Sequence, residues 1–242
     1  MAERRVALIT GGGRGIGRAC ALRLARAGRD IVIADIGDFG AAVVPEVEAL
    51  GASAEFRLLD VTDREAVDAT VSDITRRYGR LDILVNCAGV LGKETPFLDA
   101  PIEEWHRVIN TNLHGVYHCC RAVLPLMLGQ GWGRIVTISS GARHGAATLA
   151  PYATSKGAVV SLMRSIANAY VKQGVLANCV EPGRALTDMV VPRFSKEFLA
   201  NPPVAIGRYA DPAEIAEVVG FLTSEECTYV AGHIYKAYGQ SG

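Results

Sequence analysis

A phenol at Tyr152 and an ammonium at Lys156 stand four residues apart in PYATSK, directly after Pro151. Residues i and i+4 share one face of a helix, and proline is tolerated in a helix's first turn, so this spacing predicts a helix aiming both groups at one ligand. A phenol of ordinary pKa near 10 is only about a thousandth ionised at neutral pH, too little for a general base. A neighbouring cation favours the phenolate, which can then accept a proton from a bound group. In reverse, the phenol donates to a forming alkoxide. Taken alone, Y-x-x-x-K reads first as a surface helix with two unrelated polar residues. The surrounding chain has to carry the chemical reading.

A second candidate site stands near the start of the chain. TGGGRGIG, Thr10 to Gly17, follows the strand-like run VALIT and precedes an amphipathic helical stretch that runs through Ala27 and Gly28. Gly11, Gly15 and Gly17 allow a tight turn and close backbone approach to a pyrophosphate. Arg14 and Ile16 lie among them, and the helix N-terminus supplies free N–H groups and a partial positive charge. No G-K-[ST] follows, which argues against ATP hydrolysis. Asp35 ends the second strand, where a carboxylate accepts the ribose hydroxyls of an adenosine. A 2′-phosphate would meet that carboxylate as a like charge, so NAD fits better than NADP. Arg14 argues mildly the other way, although a solvated loop arginine is the simpler account. Asp60 and Val61, expected to close the third strand, are candidates to line the adenine; Asp60 is equally a candidate N-cap for the helix from Asp63 onward.

The elements that must position these groups alternate between strand and helix. Apolar, β-branched runs at 6–10, 31–35, 56–60, 83–86, 135–139, 176–181 and 233–238 are separated by helical periodicity, with long helices at about 101–130, 152–173 and 212–224. Strands apolar throughout suit a parallel sheet with helices on both faces, an α/β architecture. The chain of 242 residues is half apolar and shows no repeat or linker, which points to one domain over 1–242. Its least regular part, about 184–210, holds Pro192, Pro202 and Pro203 and is expected to be a substrate loop. With 25 basic and 25 acidic side chains, the net charge of zero offers no field for nucleic acid or an anionic membrane. No apolar run approaches the ~18 residues of a membrane helix. The six cysteines show no C-x-x-C spacing and read as buried free thiols, which favours a reducing, cytoplasmic compartment. His114 and His118 have a helical metal-ligand spacing but no evident third ligand, so no metal is expected.

TGGGRGIG, NCAG (Asn86 to Gly89), ISS (Ile138 to Ser140), YATSK and EPGRALT (Glu181 to Thr187) occur in this order over nearly the whole chain. In this the chain resembles the short-chain dehydrogenase/reductase family. The resemblance implies a Rossmann-like, doubly wound, parallel seven-stranded sheet, a nicotinamide cofactor and a homo-oligomer, tetramer or dimer. It also implies a catalytic set that falls here on Asn112, Ser140, Tyr152 and Lys156. Lys156 would additionally bind the nicotinamide ribose, and Asn112 would hold a proton-relay water. Asn86, Ala88, Gly89, Pro182, Gly183, Ala185 and Thr187 would line the cofactor, with Thr187 on the carboxamide. Two assignments keep rivals. Asn110 competes with Asn112. Ser139 competes with Ser140, which precedes Tyr152 by twelve residues where the family commonly shows thirteen. Strand register favours Ser140, because a one-residue deletion in the following loop is tolerated more easily than a shifted strand.

The chain departs from the family where Glu181, Arg184 and Ala185 stand. With Arg143 and His144, Arg184 could greet an acidic substrate, although loop charges facing solvent are the simpler expectation. The expected activity is hydride transfer between NAD(H) and a secondary alcohol or ketone. The alternatives are an NADP(H)-dependent 3-oxoacyl-thioester reductase and a catalytically silent dinucleotide sensor.

Overall fold

A computed structural model describes residues 4–191, 194–202 and 204–239. Pro192 and Pro203 of the expected substrate loop lie outside the described residues, as do the last three residues of the chain. Apolar runs buried on both faces form the strands β1 (Val6–Thr10), β2 (Asp30–Asp35), β3 (Ala54–Leu58), β4 (Ile83–Asn86), β5 (Gly133–Ile138), β6 (Val175–Pro182) and β7 (Ile234–Ala237). They pair in parallel throughout, in the order β3-β2-β1-β4-β5-β6-β7. The order reverses between β1 and β4, and in open α/β sheets ligands bind in the crevice beyond the strand C-termini at that reversal.

Helices cover both faces. On one side α3 (Arg64–Tyr78), α5 (Gly115–Gln130) and α6 (Ala150–Tyr170) bury Ile74, Val123, Val159 and Met163 against the sheet. On the other, α1 (Gly15–Arg26), α2 (Val44–Glu48) and α8 (Pro212–Leu222) bury Leu24, Val47, Ile215 and Leu222. Among the described residues no helix is long and apolar enough to cross a membrane. The six cysteines are free thiols, and all but Cys87 are fully buried.

At the strand N-terminal end of the sheet, Trp132 lies between two guanidinium groups, Arg5 at 3.4 Å and Arg134 at 4.2 Å from its ring centroid. Arg134, only 4 % exposed, donates to the carbonyls of Gly133, Gly174 and Cys227. Arg5 and Arg80 converge on the fully buried carboxylate of Asp82, which also accepts from Val6 N.

Apart from shifts of a few residues at other element ends, three differences from the sequence expectation bear on the site. The third strand spans Ala54–Leu58 and not 56–60, so Asp60 lies beyond it in an exposed turn where its Oδ1 accepts from Thr62 N (2.9 Å) and Thr62 Oγ1 (2.8 Å). Asp side chains compete for nearby backbone donors in this way, which ends the strand early. The cap of α3 is then Asp63, accepting from Ala66 N at 3.0 Å. The helix expected from Pro101 to 130 is interrupted: α4 (Ile102–Ile109) passes into α5 through a π turn at Asn110–His114. Such turns inside α-helices recur at functional sites. The segment 184–210 holds a short helix, α7 (Lys196–Ala200), tied down where Tyr209 Oη donates to Phe198 O at 2.8 Å and where Ala185 bridges Ala210.

Candidate active site

A cavity of about 1000 Å³ opens along the C-terminal ends of β1, β2, β4, β5 and β6. Its walls include Gly11, Arg14, Gly15, Ile16, Asp35, Asp60 and Val61 at one end and Ala88, Gly89, Ser140, Tyr152, Lys156, Pro182, Gly183, Ala185 and Thr187 toward the other. Three expected residues are not brought to its surface. Gly17 is buried beneath the loop, where an added Cβ would lie 2.0 Å from Gly11 O, so only glycine lets helix and loop pack this closely. Asn86 is 2 % exposed and donates to Thr137 Oγ1 at 3.1 Å, joining β4 to β5. Asn112 is fully buried; its Oδ1 accepts from Val90 N (2.8 Å), and Nδ2 donates to Val90 O (2.9 Å) and Ser155 Oγ (3.1 Å). The rival Asn110 does line the cavity, with its Oδ1 3.0 Å from His114 Nδ1, while His118 Nδ1 meets Val61 O at 3.1 Å.

At the loop end, Gly15 opens α1 at φ +51° with Arg14 as its N-cap. It presents a helix N-terminus whose first N–H groups have no side-chain cap. Those donors and the helix's positive end therefore remain for a pyrophosphate. Thr187 faces Gly15 closely enough that a Cβ there would lie 3.4 Å from its Cγ2. Asp35 spends Oδ2 on Gly13 N at 3.0 Å, whereas Oδ1 has only a 3.5 Å contact with Gly37 N and could accept from a further donor. Arg14 stacks on Phe39, its guanidinium carbon 4.1 Å from the ring centroid. Cys87 also lines the cavity, and desolvation pushes its thiol up to about 11.

At the other end the β5 terminus and α6 are tied in both directions. Lys156 Nζ donates to Ile138 O at 2.8 Å, and Ser139 Oγ donates to Lys156 O at 2.9 Å. The ammonium is thereby held 5.7 Å from the Tyr152 ring centroid. The Ser139 hydroxyl proton is committed to that tie. Ser140, half-buried, accepts from Ala142 N at 3.2 Å and keeps its proton for another acceptor. Pro151 lies in the first turn of α6, which brings Tyr152 to the cavity at the helix's open end.

Sequence reasoning missed a buried ion cluster beside Ser140. Glu181, fully buried in β6, accepts from Arg143 Nε and from Tyr238 Oη, and His144 Nε2 lies 4.0 Å away. Arg143 is therefore paired with a buried carboxylate and is itself only partly exposed. Arg184 lies over Phe194 and Phe198, at 5.8 and 5.0 Å from their centroids, and neither arginine lines the cavity. The departure of Glu181 from the family pattern was the signal for this cluster, but its partners are 38 and 57 residues away in the chain. Also missed was the rim formed by Leu91, Gly92, Lys93 and Arg107. Here Glu104 accepts from Lys93 N (2.7 Å) and from both ends of the Arg107 guanidinium, and the Arg107 hydrogen bond pulls its carboxyl down to about 2.

A family model described as short chain dehydrogenase matches residues 5–197. The 3-oxoacyl-[acyl-carrier-protein] reductase of Thermotoga maritima is 34 % identical over 96 % of this chain and 95 % of its own. The cyclohexanol dehydrogenase of an Acinetobacter species is 35 % identical over 98 % of this chain and 94 % of its own. The crystal structure of NAD+-bound xylitol dehydrogenase superposes with a TM-score of 0.93 at 31 % identity, covering 99 % of this chain and all of that one (100 %).

Burial alone would raise the Glu181 carboxyl, but the hydrogen bonds from Tyr238 and Arg143 and the Arg143 charge outweigh it and leave the carboxyl below its ordinary value of 4.5. A group with a depressed folded-state pKa contributes stability above its unfolded pKa and loses it as pH falls through the folded one. Between pH 5 and pH 3 the urea midpoint of the parental protein will therefore fall more steeply than that of Glu181→Gln, measured by circular dichroism.

Proposed function

The chain belongs to the short-chain dehydrogenase family, and we propose that it transfers a hydride between NAD(H) and a secondary alcohol or ketone. The observation that carries this reading is the meeting of Tyr152, Lys156 and Ser140 on the wall of one cavity that also reaches the glycine loop and Asp35. When bound, the nicotinamide supplies the hydride acceptor for oxidation and the donor for reduction. Tyr152 Oη takes the alcohol proton in the first direction and returns it in the second. Lys156, held by Ile138 O, places a positive charge beside the oxygen on which negative charge develops, and its remaining N–H groups serve the nicotinamide ribose. Ser140 donates to the substrate oxygen, a role for which Ser139 has no proton left. Asn112 acts indirectly, holding Val90 and so the loop that follows β4.

Asp35 supports NAD. Its Oδ1, held only by a long contact from Gly37 N, suits the ribose hydroxyls, and its charge repels a 2′-phosphate. Arg14 favours the second reading, an NADP(H)-dependent reductase of 3-oxoacyl thioesters, because it lines the same end of the cavity and could pair with that phosphate. The apolar side chains of Phe97, Leu98 and Ile102 are 69 %, 92 % and 59 % exposed on and before α4, and we take them to be covered in a cytoplasmic homotetramer or dimer.

Four measurements test this reading. A panel of secondary alcohols that includes cyclohexanol and xylitol will give NAD-linked turnover. Tyr152→Phe will then lower kcat about 10²-fold or more while NADH fluorescence titration shows an unchanged Kd; parental turnover would refute the role of Tyr152. Asp35→Asn, which keeps an acceptor for Gly13 N, will weaken NADH binding about tenfold or more and strengthen NADPH binding. An unchanged NADH to NADPH ratio would instead favour the second reading. Light scattering will give a mass of two or four chains; a monomer would refute the assembly.

A further inference from the structure

Glu181 is a fully buried carboxylate on the strand that leads into the nicotinamide-side loop, and it touches neither the cavity nor bulk solvent. Burying such a charge is unfavourable unless it is fully paired, and here the pairing comes from two other segments. Arg143 closes the turn that opens at Ser140, with Arg143 N donating to Ser140 O at 3.1 Å. Tyr238 follows β7, and its hydroxyl presses on the same turn: a Cβ added to Gly141 would lie 2.7 Å from Tyr238 Oη. Gly183 N donates to Ala237 O at 2.9 Å, so the end of β7 is also fixed to the loop that follows Glu181. One carboxylate thus joins the turn carrying Ser140, the strand before Pro182 and the end of β7.

We propose that Glu181, acting through Arg143 and Tyr238, is the positioning residue that holds the Ser140 hydroxyl in register with Tyr152 across the cavity. This rests on Ser140 being the donor to the substrate oxygen, as proposed above. The carboxylate's two oxygens are divided between the two partners, one to Arg143 and one to Tyr238, so the turn is restrained from both sides and Ser140 has one orientation. The tie also consumes the Arg143 charge, which leaves the substrate end of the cavity without that cation.

The test is a double-mutant cycle on the full-length protein, using the alcohol of the panel that the parental protein turns over fastest. Tyr238→Phe and Glu181→Gln are each expected to lower kcat between about tenfold and about a hundredfold, the scale of a ~1 Å misplacement, while the NADH Kd stays within about twofold. Tyr238→Phe keeps the ring and serves if Glu181→Gln does not fold. Ser140→Ala is expected to lower kcat, and adding Tyr238→Phe to it is expected to cause no further loss, because the tie acts through Ser140. Losses that multiply in the double variant, as a merely structural role would give, overturn the inference while leaving Ser140 as donor. Parental kcat in Tyr238→Phe overturns it as well. Parental kcat in Ser140→Ala removes Ser140 as donor and the inference with it.

Discussion

The site depends on a reciprocal pair of hydrogen bonds between the end of β5 and the second turn of α6. Lys156 Nζ reaches the carbonyl of Ile138, and Ser139 Oγ reaches the carbonyl of Lys156. With both formed, a buried ammonium has a fixed place, the strand end cannot slide along the helix, and Ser140, next after Ser139, faces the cavity. Lys156 is only 6 % exposed, so its charge acts where water does not screen it strongly. The helix start matters equally: Pro151 in the first turn lets α6 begin at the cavity wall, so the phenol sits at the open end of the helix.

Around that tie the fold adds supports that do not line the cavity. Thr10 Oγ1 accepts from Cys87 N and Ala88 N, both at 3.3 Å, and so moors the turn after β4 to the end of β1. Asn112 grips the same turn from the π turn between α4 and α5. Glu104 holds Lys93 N and Arg107 at the rim. Each is a polar side chain satisfying backbone donors in a segment without ladder partners of its own, which is how an irregular loop keeps a defined shape.

Much of this was legible in the sequence because it is local. β1 and β4 fall on the expected residues, since a short apolar run flanked by a glycine turn leaves little freedom in placing a buried parallel strand. The i, i+4 pair, the glycine loop and Asp35 were visible for the same reason. What was not legible is decided by contacts across the chain or by side chains competing for the backbone. The third strand ends early because Asp60 turns back on Thr62. Asn112 and Asn86 belong to known motifs, yet spacing alone cannot say whether an amide faces a ligand or a neighbouring backbone; here both face inward. Glu181 meets Arg143 and Tyr238 only once β5, β6 and β7 lie side by side.

The stack of Arg5, Trp132 and Arg134 lies at the sheet end opposite the cavity, together with the buried Asp82 cluster. Its carbonyl acceptors come from three separate stretches of chain, at Gly133, Gly174 and Cys227. The molecule therefore has a clenched pole and a working pole. Evolution can exchange the residues and loops at the rim, and with them the molecules admitted, while the distant knot keeps the strands in step.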